Sequence, residues 1–183
     1  MKRKIIYMLF ILPFGFLFCS CTDILEPDSS QQEENKYLYY SSFENKKNAS
    51  LSGWSSPGAP LVKFSSEVPP SGGKFSVLLK AVDLGAILKT SFPLSSGKII
   101  YNFSFWGKNS RAGGRAEFYY VSSGEKILRK YFYVNSQNWS NYSFQDTLNA
   151  VENDSLMIIL SGSSSDTPQG ITWFDLCKVQ RLN

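Results

Sequence analysis

The residues best placed to do chemistry are Glu117, Tyr119, Arg129, Tyr131 and Tyr133, all in one predicted β-hairpin. Arg115–Ser122 and Lys126–Val134 both alternate with a period of two, and they turn through Ser123-Gly124-Glu125. Parity sends Ala116, Phe118, Tyr120, Leu128, Phe132 and Val134 to an apolar face. It sends Glu117, Tyr119, Val121, Arg129, Tyr131 and Tyr133 to the other. Tyrosine rings offer flat apolar surfaces, while a carboxylate and a guanidinium offer paired hydrogen bonds. This chemistry suits holding a ligand. The same residues would also serve as cross-strand pairs on a solvated sheet, worth about 0.2–1 kcal/mol each. A register slip of one residue would exchange the two faces.

The chain has no histidine, so the commonest general base and the commonest transition-metal ligand are missing. No Ser-His-Asp set, phosphate loop or His/Cys cluster is present. Asp146, Asp154 and Asp166 lie in or beside predicted turns, where Asp is common for conformational reasons. The expectation is therefore a protein that is not an enzyme. Nineteen basic residues face 15 acidic ones, and three of the basic ones are Lys2, Arg3 and Lys4. The remainder is nearly neutral and carries no clustered Lys/Arg footprint, which argues against a nucleic-acid partner. Arg111-Ala-Gly-Gly-Arg115 reads as a solvated turn.

The elements that would position the hairpin are strands. In Lys98–Lys108, Ile99, Tyr101, Phe103 and Phe105 share one face, while Ile100, Asn102, Ser104 and Trp106 share the other. Further short strands are expected at Lys36–Phe43, Leu61–Phe64, Lys74–Lys80, Ala86–Phe92, Asn138–Thr147, Ser155–Leu160 and Ile171–Leu182, with Glu44–Leu51 as a loop. Pro69-Pro70-Ser71-Gly72-Gly73 is a turn. Short strands at regular spacing indicate an all-β, two-sheet antiparallel sandwich. Trp106 is expected under a loop, and Trp54, Trp139 and Trp173 in the core.

Residues 1–20 read as a signal peptide: a basic start, then an apolar run from Ile5 to Phe18 that is too short to span a bilayer comfortably. Its end, Leu17-Phe18-Cys19-Ser20-Cys21, resembles the lipobox of bacterial lipoproteins, especially those of the Bacteroidota. That resemblance makes Cys21 the lipid-bearing cysteine, with apolar Phe18 at −3 and small Ser20 at −1. It implies a protein anchored in the outer membrane by lipid and exposed at the cell surface. Residues 21–35 are polar and acidic and read as a disordered tether to a single domain at 36–183. Cys177 then has no disulfide partner and reads as a small buried hydrophobe.

Six motifs in order carry a second resemblance: Tyr40-Ser-Ser-Phe43-Glu44, Gly53-Trp54, Ser71–Val77, Tyr101–Trp106, Asn138–Tyr142 and Trp173–Val179. Together they resemble galactose-binding-domain-like jelly rolls, particularly carbohydrate-binding modules of the family 4, 9 and 22 type. The resemblance implies a jelly-roll β-sandwich. It also implies a structural calcium ion held by Glu44, Asp175 and carbonyls of the Gly72-Gly73 turn, for which Lys46 or Lys47 would otherwise supply the charge. In relatives the sugar lies on the outer, concave face of the sheet that includes the hairpin. That would make Tyr119, Tyr131 and Tyr133 its platforms, and Glu117 and Arg129 its hydroxyl partners. The expected function is a non-catalytic, lipid-anchored glycan-binding protein. The alternative is an envelope scaffold that binds proteins.

Overall fold

The computed structural model describes residues 37–57, 61–80, 86–111, 113–162 and 170–183. The leader, Cys21, the tether and Asp166 lie outside the described residues. Every described element is a strand: β1 (Tyr37–Ser41), β2 (Glu44–Asn45), β3 (Asn48–Ala49), β4 (Val62–Ser65), β5 (Ser76–Lys80), β6 (Ile87–Pro93), β7 (Gly97–Asn109), β8 (Gly114–Ser122), β9 (Glu125–Val134), β10 (Ser140–Ala150), β11 (Ser155–Ser161) and β12 (Ile171–Arg181). One sheet runs β10-β7-β12-β5-β4, with β1 also paired to β12, and the other runs β6-β11-β8-β9. All pairings are antiparallel. This is the expected jelly-roll sandwich, with the hairpin β8-β9 in the four-stranded sheet.

The core follows from alternation. Ile99, Tyr101, Phe103 and Phe105 of β7 are buried, and the intervening residues face outward. Phe103 stacks on Phe118 of β8 with ring centroids 4.7 Å apart, so β7 contacts the opposite sheet directly. Phe144 meets Phe118 edge-on at 5.2 Å, and Phe105 stacks on Tyr142 at 5.0 Å. Each such ring contributes about 1.5–3 kcal/mol through burial.

Two local features depart from the sequence expectation. Residues 44–49 form the small β2-β3 hairpin and not a loop. Its turn residues Lys46 and Lys47 have φ of 48° and 73°, a conformation usually signalled by Asn or Gly. The second is a β-bulge in the main hairpin. Phe118 pairs with Lys130, but Tyr119 pairs with Leu128, which leaves Arg129 as the extra residue. The turn itself is tight, with Ser123 and Gly124 both at positive φ, 51° and 80°.

The bulge corrects one site assignment: Arg129 does not join the outward tyrosines. It reaches across the rim of the sandwich, its Nε and Nη2 donating to the two Asp146 carboxylate oxygens at 2.7 and 3.0 Å. The Tyr101 hydroxyl donates to the same carboxylate at 3.1 Å. Leu128, expected inward, takes the outward position and is 48% exposed. Trp139 and Trp173 also differ from expectation. They lie outside the core, flanking Lys108, whose Nζ is 4.7 Å from the Trp173 ring centre and 6.0 Å from that of Trp139. Trp54 packs against the core as expected.

Candidate functional site

The register across β6, β11, β8 and β9 sets out the outer face row by row. Ile87, Ser161, Arg115 and Tyr133 form the first row; Lys89, Ile159, Glu117 and Tyr131 form the second. Ser91, Met157, Tyr119 and Leu128 form the third, and Pro93, Ser155, Val121 and Lys126 the fourth. The opposite parity of β11 and β8 is sealed in the core, with Leu156, Ile158, Leu160, Ala116 and Phe118 buried. The outer face is thus fixed by the same alternation that builds the core, and a slip would expose five apolar side chains.

Four of the five candidate ligand residues are on this face: Glu117, Tyr119, Tyr131 and Tyr133. Tyr131 and Tyr133 are half exposed and meet edge-to-face with centroids 5.3 Å apart. The Tyr119 hydroxyl donates to Glu117 Oε2 at 2.8 Å. Burial, helped by that bond, raises the Tyr119 phenol above its usual range. Arg115 Nη1 lies 3.7 Å from Glu117 Oε1, an ion pair without a hydrogen bond. On the far side, Ser55 bridges to Lys89 through paired backbone bonds of 2.8 and 2.9 Å, lengthening the face beyond β6. Arg115 and Lys89 were missed from sequence. The available signal was parity: Arg115 stands two residues before Glu117, and so on the same face.

A second constellation lies at the Gly72-Gly73 turn, where the two residues expected to hold calcium converge. Glu44 Oε1 accepts the Lys74 N–H and, at 2.7 Å, the Phe75 N–H. Asp175 is fully buried, and its Oδ1 accepts the Leu176 N–H at 2.7 Å. Its Oδ2 is buried without a hydrogen-bond partner among the described residues. A Cβ on Gly72 would sit 2.7 Å from that oxygen, so the turn tolerates only glycine there. Burial, reinforced by the neighbouring Glu44 charge, pushes the Asp175 carboxyl up to about 7 against the opposing Leu176 N–H and Lys178. Among the described residues neither Lys46 nor Lys47 forms an ion pair. Among them, too, no three His, Cys, Asp or Glu side chains cluster, so any cation here would need backbone carbonyls as well.

The architecture defines the chain as a jelly-roll β-sandwich, a fold shared with solved carbohydrate-binding modules. The CBM22-1 xylan-binding domain of Paenibacillus barcinonensis Xyn10C superimposes with a TM-score of 0.56 at 17% identity, over 80% of this chain and 95% of that one. TmCBM61, solved in complex with β-1,4-galactotriose, gives 0.52 at 15% identity, over 72% and 90%. The enzymatically active domain of bacteriophage CBA120 tailspike protein 4 gives 0.55 at 15% identity, over 77% of this chain but 20% of that one. No protein family and no curated protein matches the chain. These likenesses establish the fold, and the fold hosts more than one activity.

Proposed function

We propose that this chain is a non-catalytic glycan-binding protein of the cell envelope, held in the outer membrane by lipid on Cys21 and exposed at the cell surface. The observation that supports it most is the outer face of β6-β11-β8-β9. There Tyr131 and Tyr133 are half exposed beside the Tyr119–Glu117–Arg115 group. A sugar ring would lay its C–H face on a tyrosine and pair its hydroxyls with the carboxylate and guanidinium. The similar folds include a xylan-binding domain and a module solved with a galactotriose, which favours sugars over other polar ligands. Retention of the chain in polysaccharide affinity gels, abolished by Tyr119→Ala with Tyr131→Ala, is the expected result. Unretarded migration on every polysaccharide would refute the reading. Incorporation of labelled palmitate, lost in Cys21→Ala, tests the anchor.

The Glu44–Asp175 constellation fits one calcium ion. A buried carboxylate oxygen with no donor among the described residues, near enough to Glu44 to be raised by its charge, would be stabilised by a divalent cation. Glu44, Asp175 and carbonyls of the Gly72-Gly73 turn would hold the ion. Its role would be structural, tying the chain that follows β1 to the middle of β12.

A further inference from the structure

We infer that the glycan this face takes is acidic, a polysaccharide bearing carboxylates such as uronates. The inference rests on the glycan-binding reading and adds the charge of the ligand. Three basic side chains, Lys89, Arg115 and Lys126, stand in the four outward rows, against the single acid Glu117. That acid is already engaged, by the Tyr119 hydroxyl at Oε2 and the Arg115 guanidinium near Oε1. Arg115 is not satisfied in return. Among the described residues its one charged partner lies 3.7 Å away, beyond hydrogen-bond distance, and its Nε is closed to solvent with no acceptor. A guanidinium that is partly desolvated and makes no hydrogen bond is costly. A carboxylate offers two oxygens in the geometry that the guanidinium fork matches. Among the described residues Lys89 forms no ion pair, and it stands two strands from Glu117, about 10 Å across the sheet. Ile159 lies between them in the row, and Ser161 beside Arg115, so among the described residues the register puts no carboxylate between the two cations. Tyr131 and Tyr133, next to Glu117 and Arg115 in their rows, supply rings for the sugar faces.

The experiment compares polygalacturonate with its methyl ester, which has the same backbone without the charge, and with a neutral galactan. Affinity electrophoresis of the full chain is run at low and at moderate salt. We expect polygalacturonate to bind roughly tenfold or more tightly than the ester, with the preference shrinking as salt screens the charges. Arg115→Gln and Lys89→Gln should each erase most of the preference, and Tyr131→Ala with Tyr133→Ala should weaken binding of both forms. Unchanged thermal midpoints show that the Gln variants are folded; because both positions face outward, a variant that unfolds is replaced by Arg115→Met or Lys89→Met. Equal or tighter binding of the ester or the galactan would overturn the charge assignment and leave glycan binding standing. Retention by polygalacturonate that ignores the tyrosine pair would reduce the effect to ion exchange and overturn it too. No binding to any of the three, nor to a wider panel of neutral and acidic polysaccharides, would overturn both readings.

Discussion

Replacing Arg129 and Asp146, singly and together, separates the rim of the sandwich from its ligand face. The pair is bidentate, at 2.7 and 3.0 Å, but its side chains keep 31% and 21% of their exposure, so the attraction itself is worth about 1 kcal/mol. Asp146 does more than pair. It also accepts the hydroxyl of Tyr101, a residue with no exposed surface, and the Thr147 N–H at 2.7 Å. Asp146→Ala therefore leaves a buried hydroxyl without an acceptor, which adds about 1–2 kcal/mol. We expect Arg129→Ala to cost about 1 kcal/mol, Asp146→Ala about 2–3, and the double variant about the same as Asp146→Ala alone. For a domain of this size each kcal/mol lowers the thermal midpoint by roughly 2–4 °C. Calorimetry or denaturant melts give the cycle, and affinity electrophoresis on the same proteins gives binding. Arg129→Ala should leave retention unchanged. If it abolished retention and left stability intact, Arg129 would face the ligand after all, and the bulge-based arrangement of the hairpin would be wrong.

Two further outcomes follow from the same geometry. Burial alone would raise the Asp146 carboxyl, but Arg129, the Thr147 N–H and the Tyr101 hydroxyl outweigh it and hold the group below the usual carboxylate range. Its contribution is thus complete above the unfolded value of about 3.9 and is lost as pH falls through the lower folded value. Denaturant midpoints should accordingly drop below about pH 4, and less so in Asp146→Asn. Calcium at about a hundredfold its dissociation constant should stabilise the chain by about 2.7 kcal/mol, a rise of roughly 5–10 °C that chelation reverses and Asp175→Asn abolishes. An unchanged melt in calcium would remove the ion from the account.

What the sequence made legible follows from how strongly each pattern is constrained. Ile99 to Phe105 is read without ambiguity because a β7 slip would turn three aromatic rings to water. The Glu117/Tyr119 parity holds for the same reason, since Phe118 locks β8 from the other side. β9 is different. It is an edge strand, and between Glu125 and Tyr131 nearly every side chain is exposed on either face, so burial does not dictate register. The bulge falls there, and it moves Arg129 to the rim and Leu128 outward. Arg115 was hidden because it also closes Arg111-Ala-Gly-Gly-Arg115, which reads as a basic turn, whereas β8 is already under way at Gly114. Trp139 and Trp173 were misplaced because aromatic type alone does not distinguish a core ring from one stacked on Lys108 outside the sheet. Asp175 was legible through resemblance, but its unpartnered oxygen emerges only from the packing of Gly72 against it.

The most direct measurement is a map of backbone amide shifts on titration with a bound acidic oligosaccharide. Perturbations should cluster at Lys89, Ile159, Arg115, Glu117, Tyr131 and Tyr133, with the amides around Trp139 and Trp173 unmoved. Perturbations confined to the opposite sheet, or scattered with no cluster on β6-β11-β8-β9, would contradict it.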